Sequence, residues 1–277
     1  MKFLIKMPIQ AAMSIIGVNQ VLFGKNKGLR LRYNSQLNMD MLLGLHEPNT
    51  FEVFDLFVKE GMLVADIGAN VGYFTRFLGK KVGETGCVHS FEPIPGTFKM
   101  LQDTISLNHL KNVIPVNKAV SGNNGTVTMY LSHTHYMASI DSDWASNEGG
   151  NLKVEAVTLD SYFEKLGRYP DFIKMDIEGG GVFALKGMHN CIKKNEPILL
   201  LESHTSAEDL SIGAALSLIP YDVYRVGNPM PVTNLKGDHK DQYGIYDTVV
   251  GIPKSKRHLF SNWTPAQFQK RRVGQRA

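Results

Sequence analysis

Short apolar runs alternate with segments of helical periodicity along most of the chain after residue 60. Leu63–Ile67 predicts a first strand, Val71–Lys80 a helix after it, and Cys87–Phe91 a second strand. The remaining runs predict strands over 113–120, 126–131, 154–159, 171–175, 197–201, 221–226 and 247–252, and helices over 95–107, 182–188 and 207–218. Strands that alternate with helices are typical of α/β folds with a mostly parallel, doubly wound sheet.

Three stretches fall outside this alternation. Residues 1–50 are predicted to form an N-terminal helical extension, and residues 132–152 a polar, irregular surface loop. Ser121–Gly125 is a strong turn signal, which predicts a β-hairpin between the strands on either side of it. We therefore expect a domain over residues 51–253, followed by a basic tail over residues 254–277.

The composition is that of a globular protein. Of 277 residues, 43% are hydrophobic and 20% are charged, which excludes a disordered or fibrous chain. The formal net charge is +4, with much of the excess in the tail. We expect a solvated tail, with contact to an anionic surface as the alternative. Cys87 and Cys191 form neither a disulfide framework nor a metal motif. Two buried thiols favour a reducing, cytoplasmic compartment.

The first residues loosely resemble a signal peptide, because Lys2 and Lys6 flank the start of an apolar stretch, Met7–Val18. Polar residues interrupt this stretch, no clean cleavage site follows, and it is too short to cross a bilayer. We predict an amphipathic segment that packs on the domain of a cytoplasmic protein. Peripheral contact with the inner face of the membrane is the weaker alternative.

The first strand joins the following helix through a loop that contains Asp66, Gly68 and Gly72. Glycines let the backbone turn tightly and let a ligand approach closely, and a helix N-terminus offers free N–H groups. The carboxylate of Asp66 suits a cationic ligand and disfavours a pyrophosphate. Asn70 and Tyr73 stand where a dinucleotide site requires glycine. The loop therefore predicts a site for S-adenosylmethionine rather than for NAD.

Glu92 closes the second strand and precedes Pro93, about two dozen residues after Asp66. A carboxylate at this place can accept hydrogen bonds from both hydroxyls of a ribose. An acidic residue after a strand is by itself usually a helix cap. Its spacing from the glycine loop makes Glu92 the second half of a predicted nucleoside site.

Six motifs, in order along the chain, resemble the FkbM family of S-adenosylmethionine-dependent methyltransferases: residues 66–75 (DIGANVGYFT), 89–93 (HSFEP), 117–121 (NKAVS), 158–160 (TLD), 173–179 (IKMDIEG) and 200–204 (LLESH). The likeness covers roughly residues 45–253, beginning with His46-Glu47-Pro48. It implies a class I, Rossmann-like methyltransferase fold with a seven-stranded, mostly parallel sheet. It also implies O-methylation of a hydroxyl on a sugar or other metabolite.

The resemblance and the loop chemistry together give the residues expected at the donor site, which are Asp66, Gly68, Asn70, Gly72, Tyr73, Phe74, Glu92, Pro93, Ala119 and Asp176. One position departs from the family pattern. The family usually continues Glu-Gly-Ala-Glu where this chain has Glu178-Gly179-Gly180-Gly181, so the second acidic residue is missing. The departure loosens the predicted helix start, because glycine is a poor helix former.

The candidate catalytic residues follow two central strands and are Lys174, Asp176, Glu178 and His204. A sulfonium donor is already activated, so transfer to a hydroxyl needs positioning and removal of the acceptor's proton. The ordinary pKa of His204 suits a general base, with a structural role as the alternative. Lys174 in a buried strand requires a partner, so an ion pair with Asp176 or Glu202 is the alternative to catalysis. A divalent metal held by these acids and His204 is not favoured, because no ligand spacing requires one.

The candidate acceptor-binding residues are His133, His135, Ser139 and Glu202. We expect a small-molecule or saccharide-like acceptor. No nucleic acid is expected, because the Asn/Asp-Pro-Pro-Tyr/Phe motif common in nucleobase N-methyltransferases is absent. The alternatives are N-methylation of an amine or peptide, and an inactive module that binds S-adenosylmethionine. The oligomeric state is not predicted.

Overall fold

The computed structural model describes residues 18–32, 39–131, 138–140, 150–226, 228–231, 235 and 248–260. Its strands are β1 (Val18–Gln20), β2 (Arg30–Arg32), β3 (Leu63–Ile67), β4 (Cys87–Phe91), β5 (Val113–Val116), β6 (Ala119–Val120), β7 (Gly125–Leu131), β8 (Ala138–Ser139), β9 (Asn151–Val157), β10 (Phe172–Met175), β11 (Ile198–Glu202), β12 (Tyr221–Arg225), β13 (Asn228–Pro231) and β14 (Thr248–Pro253). Its helices are α1 (Met39–Leu43), α2 (Pro48–Phe57), α3 (Tyr73–Val82), α4 (Pro95–Leu107), α5 (Leu159–Leu166), α6 (Gly181–Lys186), α7 (His189–Asn195) and α8 (Ser206–Leu216), with a 3₁₀ helix over Lys254–Phe260.

Eight of the described strands form one sheet, in the order β13-β12-β14-β11-β10-β3-β4-β5. The strands from β11 to β5 pair in parallel, and β14 runs antiparallel between β11 and β12. The chain first builds the β3-β4-β5 half and then returns to β10 and β11 on the other side of β3. This is the doubly wound, mostly parallel sheet of seven strands that the sequence predicts, with the short β13 added at one edge.

The central strands are buried because helices cover both faces of the sheet. All five residues of β3 are buried, as a continuous apolar run in a parallel sheet predicts. Leu63, Ala65 and Ile67 belong to one core cluster, whereas Val64 belongs to the other together with Phe54 of α2. The side chains of a strand alternate between faces, so neighbouring residues of β3 reach two different cores.

A second sheet has the order β6-β9-β7-β8 among the described residues. The hairpin predicted across Ser121–Gly125 is wrong, because β6 and β7 do not pair with each other. Both pair with β9, β6 in parallel and β7 antiparallel. A turn signal reports only the local change of chain direction, and the strand that separates β6 from β7 comes later in the chain.

The described part of the N-terminal extension contains a β-hairpin, which corrects the prediction of helix for residues 18–32. β1 and β2 pair antiparallel. Gly24 and Gly28, between the two strands, have positive φ angles, which are compatible with a chain reversal and not with a helix. Leu29 is fully buried in the same core as residues of α2. The expected domain boundary at residue 51 falls inside α2, which begins at Pro48.

Part of the predicted tail is folded. The 3₁₀ helix ends at Phe260, whose ring packs edge-on against Phe57, with centroids 5.1 Å apart. The rest of the tail lies outside the described residues, as does the segment 1–17 predicted to pack on the domain or touch a membrane. No helix in the described part of the chain combines the length and the apolar character that crossing a bilayer requires.

Candidate active site

A cleft lies at the carboxyl ends of β3, β4 and β10, where the order of the strands reverses. Open α/β sheets bind their ligands at this switch point. About 730 Å³ of non-atom space lies within the cleft, part of it open solvent. The second sheet contributes to its wall through Ala119 of β6, Met129 of β7 and Ser139 of β8.

The loop after β3 is shaped by a glycine and by the neighbouring strand. Gly68 has a φ of +74°, and a Cβ at this position would lie 1.9 Å from the carbonyl oxygen of Asp176. The N–H groups of Gly68 and Ala69 donate to the carbonyl oxygen of Phe91 at 3.1 and 3.0 Å. Asn70 adopts the left-handed conformation, which asparagine tolerates better than most residues. The loop is therefore pre-shaped, with Gly68 and Asn70 lining the cleft.

Glu92 and Pro93 line the same cleft. The two carboxylate oxygens of Glu92 accept hydrogen bonds from the N–H of Ile94 (2.9 Å) and of Asn70 (3.1 Å). Glu92 is 6% exposed, and burial raises its pKa to about 7, although the two hydrogen bonds lower it. Each oxygen keeps a second lone pair. Glu92 can therefore hold the loop and still accept hydrogen bonds from a ligand.

Asp66, which the sequence predicts at the donor site, lies behind the loop. The residue is fully buried and does not line the cleft. Its Oδ2 accepts a hydrogen bond from the Thr75 hydroxyl at 2.6 Å, which ties the end of β3 to the first turn of α3. Burial raises the pKa of Asp66, although the Lys174 ammonium and Thr75 lower it. Asp66 therefore anchors the helix that follows the loop.

Gly72, Tyr73 and Phe74 also pack behind the cleft. A Cβ at Gly72 would lie 2.9 Å from Leu101. The rings of Tyr73 and Phe74 contact Phe51, with centroids 5.8 and 5.1 Å away. None of the three residues lines the cleft. The helix that starts at Tyr73 turns these residues toward the core, where they support the loop from behind. Their predicted contact with the donor stays a prediction.

Lys174 is buried on β10 and is paired with acids. It is the cross-strand neighbour of Asp66, and its Nζ lies 3.3 Å from Asp176 Oδ2, 3.3 Å from the Gly68 carbonyl oxygen and 3.9 Å from Asp66 Oδ1. Burial lowers the pKa of Lys174, but the charges of Asp176 and Asp66 raise it above its ordinary value. Burial raises the pKa of Asp176, but the charges of Lys174 and His204 outweigh the effect of burial, so the pKa lies below its ordinary value. The predicted Lys174–Asp176 pair is confirmed, and the permanent charge of Lys174 argues against a role as base.

Four acidic side chains surround His204 at the ends of β10 and β11. His204 Nε2 lies 3.5 Å from Glu178, 3.6 Å from Glu202 and 3.7 Å from Asp176. His204 Nδ1 lies 3.6 Å from Glu208 on α8. We call Asp176, Glu178, Glu202, His204 and Glu208 the acidic cluster. The sequence predicted the first four of these residues, because they lie at the ends of adjacent strands. It missed Glu208, for which Thr205 three residues earlier was a signal, since the pair has the spacing of a capping box.

The carboxylates decide how His204 is protonated. Burial lowers the pKa of His204, but Glu202, Glu208 and Glu178 outweigh it and raise the pKa to about 11. Burial and the charge of Asp176 raise the pKa of Glu202 to about 7, although His204 lowers it. A pKa of about 11 favours the imidazolium at neutral pH, which argues against the predicted role of His204 as general base. Glu202 is a carboxylate whose charge changes near neutral pH.

The acidic cluster also has the geometry of a cation site. Asp176, Glu202 and His204 each offer one ligand atom, and these atoms lie within 4.8 Å of one another. Carboxylate and imidazole ligands suit several divalent metals. A metal would have to displace the proton of His204, because only the neutral ring is a ligand.

Gly181 stands where the FkbM motif usually has its second acid. A Cβ at this position would lie 2.8 Å from Glu208 Oε1, and the N–H of Gly181 donates to the same oxygen at 2.9 Å. The acidic group beside position 181 therefore comes from α8 in this chain.

The predicted acceptor-binding residues have different outcomes. Ser139 lines the cleft, and Glu202 belongs to the acidic cluster. His133 and His135 lie outside the described residues. Sequence reasoning missed Lys118, which lines the cleft and lies within the NKAVS motif next to the predicted Ala119.

The methyltransferase FkbM domain model matches residues 66–226 of this chain. The match begins in the glycine loop, ends after β12 and includes the whole acidic cluster. The chain belongs to the FkbM methyltransferase family. A curated relative, hexuronic acid methyltransferase AglP of Haloferax volcanii, is 26% identical over 161 residues, which cover 57% of this chain and 63% of the relative. This FkbM domain protein thus matches less than two thirds of that relative's length.

Two solved structures are similar to the FkbM domain chain. The FkbM methyltransferase of Methylobacillus flagellatus has 19% identity and a TM-score of 0.46, over 69% of this chain and 43% of its own. A putative rRNA methylase of Clostridium thermocellum has 13% identity and a TM-score of 0.49, over 74% and 92% of the two chains. The fold class of this chain rests on the strand order of its central sheet.

Proposed function

We propose that this protein is an S-adenosylmethionine-dependent methyltransferase that methylates a hydroxyl group of a saccharide-like acceptor. The observation that carries the proposal is the cleft at the switch point of the sheet. It is lined by Gly68, by the buried carboxylate of Glu92, and by Asp176 and Glu178 of the acidic cluster. The relative named for hexuronic acid supports a sugar as the acceptor.

The residues of the cleft fit this donor. At Gly68 and Asn70 the donor can approach the backbone of the loop closely. The two carboxylate oxygens of Glu92 each have a second lone pair, which can accept a hydrogen bond from a ribose hydroxyl. The carboxylates of Asp176 and Glu178, which also line the cleft, favour a cationic sulfonium over a pyrophosphate. When bound, S-adenosylmethionine supplies a methyl group already activated for displacement.

The acidic cluster would prepare the acceptor oxygen. Asp176 and Glu178 can accept hydrogen bonds from acceptor hydroxyls and so orient them. Glu202, with its pKa raised to about 7, would take the proton that the hydroxyl loses. The imidazolium of His204 would compensate the negative charge that collects beside it.

Replacing Glu202 by glutamine is expected to lower kcat roughly 100-fold or more, because the proposed base is removed. Donor affinity should stay unchanged, since Glu202 does not line the cleft. In the wild type at saturating donor, kcat should rise as the pH increases through about 7, because a base works in its deprotonated form. Glu164→Gln, which alters an exposed carboxylate on α5, is the control. A pH profile that Glu202→Gln leaves unchanged would refute the assignment.

Methyl transfer is expected to persist after treatment with EDTA. The proton of His204, with a pKa of about 11, already balances part of the charge of the acidic cluster, and a metal would have to displace it. The measurement is kcat of chelator-treated protein with and without added Mg²⁺ or Mn²⁺. Loss of transfer on chelation, restored by one of these metals, would show instead that the acidic cluster holds a required cation.

A second candidate is methylation of an amine. The charge of the acidic cluster favours it, because carboxylates that accept hydrogen bonds from hydroxyls also attract an ammonium group. An amine that arrives deprotonated needs no base, so Glu202→Gln would then cost little activity. Donor binding without turnover in any pool of sugars or amines would identify an inactive module.

A further inference from the structure

Glu208 has a position that helix capping does not explain. The residue is 1% exposed and lies in the first turn of α8. Its N–H donates to the Thr205 hydroxyl at 3.1 Å, which is half of a capping box. In a complete capping box the glutamate side chain returns to the N–H of the cap residue itself. Here the side chain goes to two other groups.

The carboxylate of Glu208 connects the segment after β10 with the segment after β11 through two hydrogen bonds. Its Oε1 accepts from the N–H of Gly181, at the start of α6, at 2.9 Å. Its Oε2 accepts from the N–H of His204, after β11, at 2.9 Å. A Cβ at position 181 would meet Oε1 at 2.8 Å and Cγ and Cδ at 3.4 Å. A side chain at 181 would therefore require the carboxylate of Glu208 to move from its present position.

Glu208 also lies beside the Nδ1 edge of the His204 ring. His204 Nδ1 lies 3.6 Å from Glu208 Oε2, whereas Nε2 points to Asp176 and Glu178 from the β10–α6 connection and to Glu202 on β11. The ring thus has one buried carboxylate on one side and three carboxylates on the other. The hydrogen bond from the His204 N–H to Glu208 Oε2 holds the backbone of His204, and the charge of Glu208 beside Nδ1 favours the charged form of the ring.

We propose that Glu208 is a positioning residue of this enzyme, which orients His204 toward Asp176, Glu178 and Glu202 and occupies the space that Gly181 leaves open. The effect on methyl transfer rests on the function proposed above, but the effect on His204 does not. Without Glu208, His204 would lose its fixed orientation, and its charge would balance Asp176, Glu178 and Glu202 less completely. The base in the acidic cluster would then work at a different pH.

The direct test is Glu208→Gln in the full-length protein, with the imidazole signals of His204 followed by nitrogen NMR against pH. Comparison with His204→Gln assigns the signals. We expect the pKa of His204 to fall by about one pH unit or more, because a charge beside Nδ1 is removed. We also expect kcat to fall about tenfold and its pH profile to shift, with an unchanged affinity for S-adenosylmethionine.

A relocated carboxylate separates positioning from a purely structural role. Gly181→Glu alone should be damaging, because the new side chain and Glu208 compete for one space. Combined with Glu208→Ala, it places a carboxylate beside His204 from the opposite loop, and we expect recovery of the His204 titration and of part of kcat relative to Glu208→Ala alone. Each variant is first checked for a cooperative unfolding transition.

Two results would overturn this assignment. One is a folded Glu208→Gln protein in which the titration of His204 is unchanged. The other is a variant that loses thermal stability while kcat and its pH profile stay those of the wild type, which would make Glu208 only a helix cap. If the wild type itself transfers no methyl group, the proposed function fails, and the titration of His204 still tests the role of Glu208.

Discussion

Gly68→Ala is expected to destroy the donor site and to lower the free energy of unfolding by roughly 2–5 kcal/mol. Gly68 has a φ of +74°, a conformation that costs an L-residue roughly 1–2 kcal/mol. The added methyl group would also lie 1.9 Å from the carbonyl oxygen of Asp176 and 2.9 Å from the side chain of Ile177, and overpacking costs a further 1–3 kcal/mol or so. Because both neighbours lie in the cleft wall, donor binding and methyl transfer should be lost together.

Two other glycines provide matched controls. A Cβ at Gly180, in the same cleft wall, would meet its nearest neighbours at 3.5 Å, which is ordinary van der Waals contact. A Cβ at Gly96, in the first turn of α4, would meet nothing within 4 Å. Gly180→Ala and Gly96→Ala should therefore keep donor affinity, and the second should be neutral or slightly stabilising. Chemical denaturation and calorimetry measure both quantities. A Gly68→Ala protein with wild-type stability and affinity would contradict the described contact with Asp176.

Glu92→Gln is expected to weaken S-adenosylmethionine binding by about 100- to 10,000-fold. Glutamine would lose the two charge-assisted hydrogen bonds that we propose between Glu92 and the ribose, which are worth roughly 1.5–3 kcal/mol each. The burial that raises the pKa of Glu92 to about 7 adds a pH dependence. The ionised carboxylate is the form that accepts both hydroxyls, so wild-type affinity should fall as the pH drops through about 7.

The control for Glu92 is an acid of the same size outside the cleft. Glu164→Gln on α5 changes an exposed carboxylate and should alter neither affinity nor its pH dependence. In Glu92→Gln the pH dependence should be absent as well as the tight binding. A donor affinity that the substitution leaves within a few-fold of the wild type would remove Glu92 from the ribose site.

The strands of the central sheet could be predicted from the sequence because their burial is continuous. Leu63–Ile67 and Cys87–Phe91 have the predicted bounds, since each run ends where the chain leaves the core. The same local signals failed at β6 and β7, whose common partner β9 is distant in sequence. They also missed α5, which Thr158 caps by accepting the N–H of Ser161.

The candidate site shows the same limit. Glu92 and Asp176 were found because each directly follows a strand, and the carboxyl ends of parallel strands share one edge of the sheet. The position of Asp66 depends on Lys174 across the strand pair, and the charge of His204 depends on acids from three elements. The sequence shows where an ionisable residue lies along its own strand. It does not show the residue's pKa, because the pKa depends on charged groups that other elements of the fold place beside it.

Calorimetric titration of the purified protein with S-adenosylmethionine and, separately, with NAD tests whether the cleft is a methyl-donor site. We expect saturable binding of S-adenosylmethionine, with a dissociation constant on the order of micromolar, and no binding of NAD. Tight binding of NAD by the folded protein, with no heat from S-adenosylmethionine, would contradict the assignment of the cleft as a methyl-donor site.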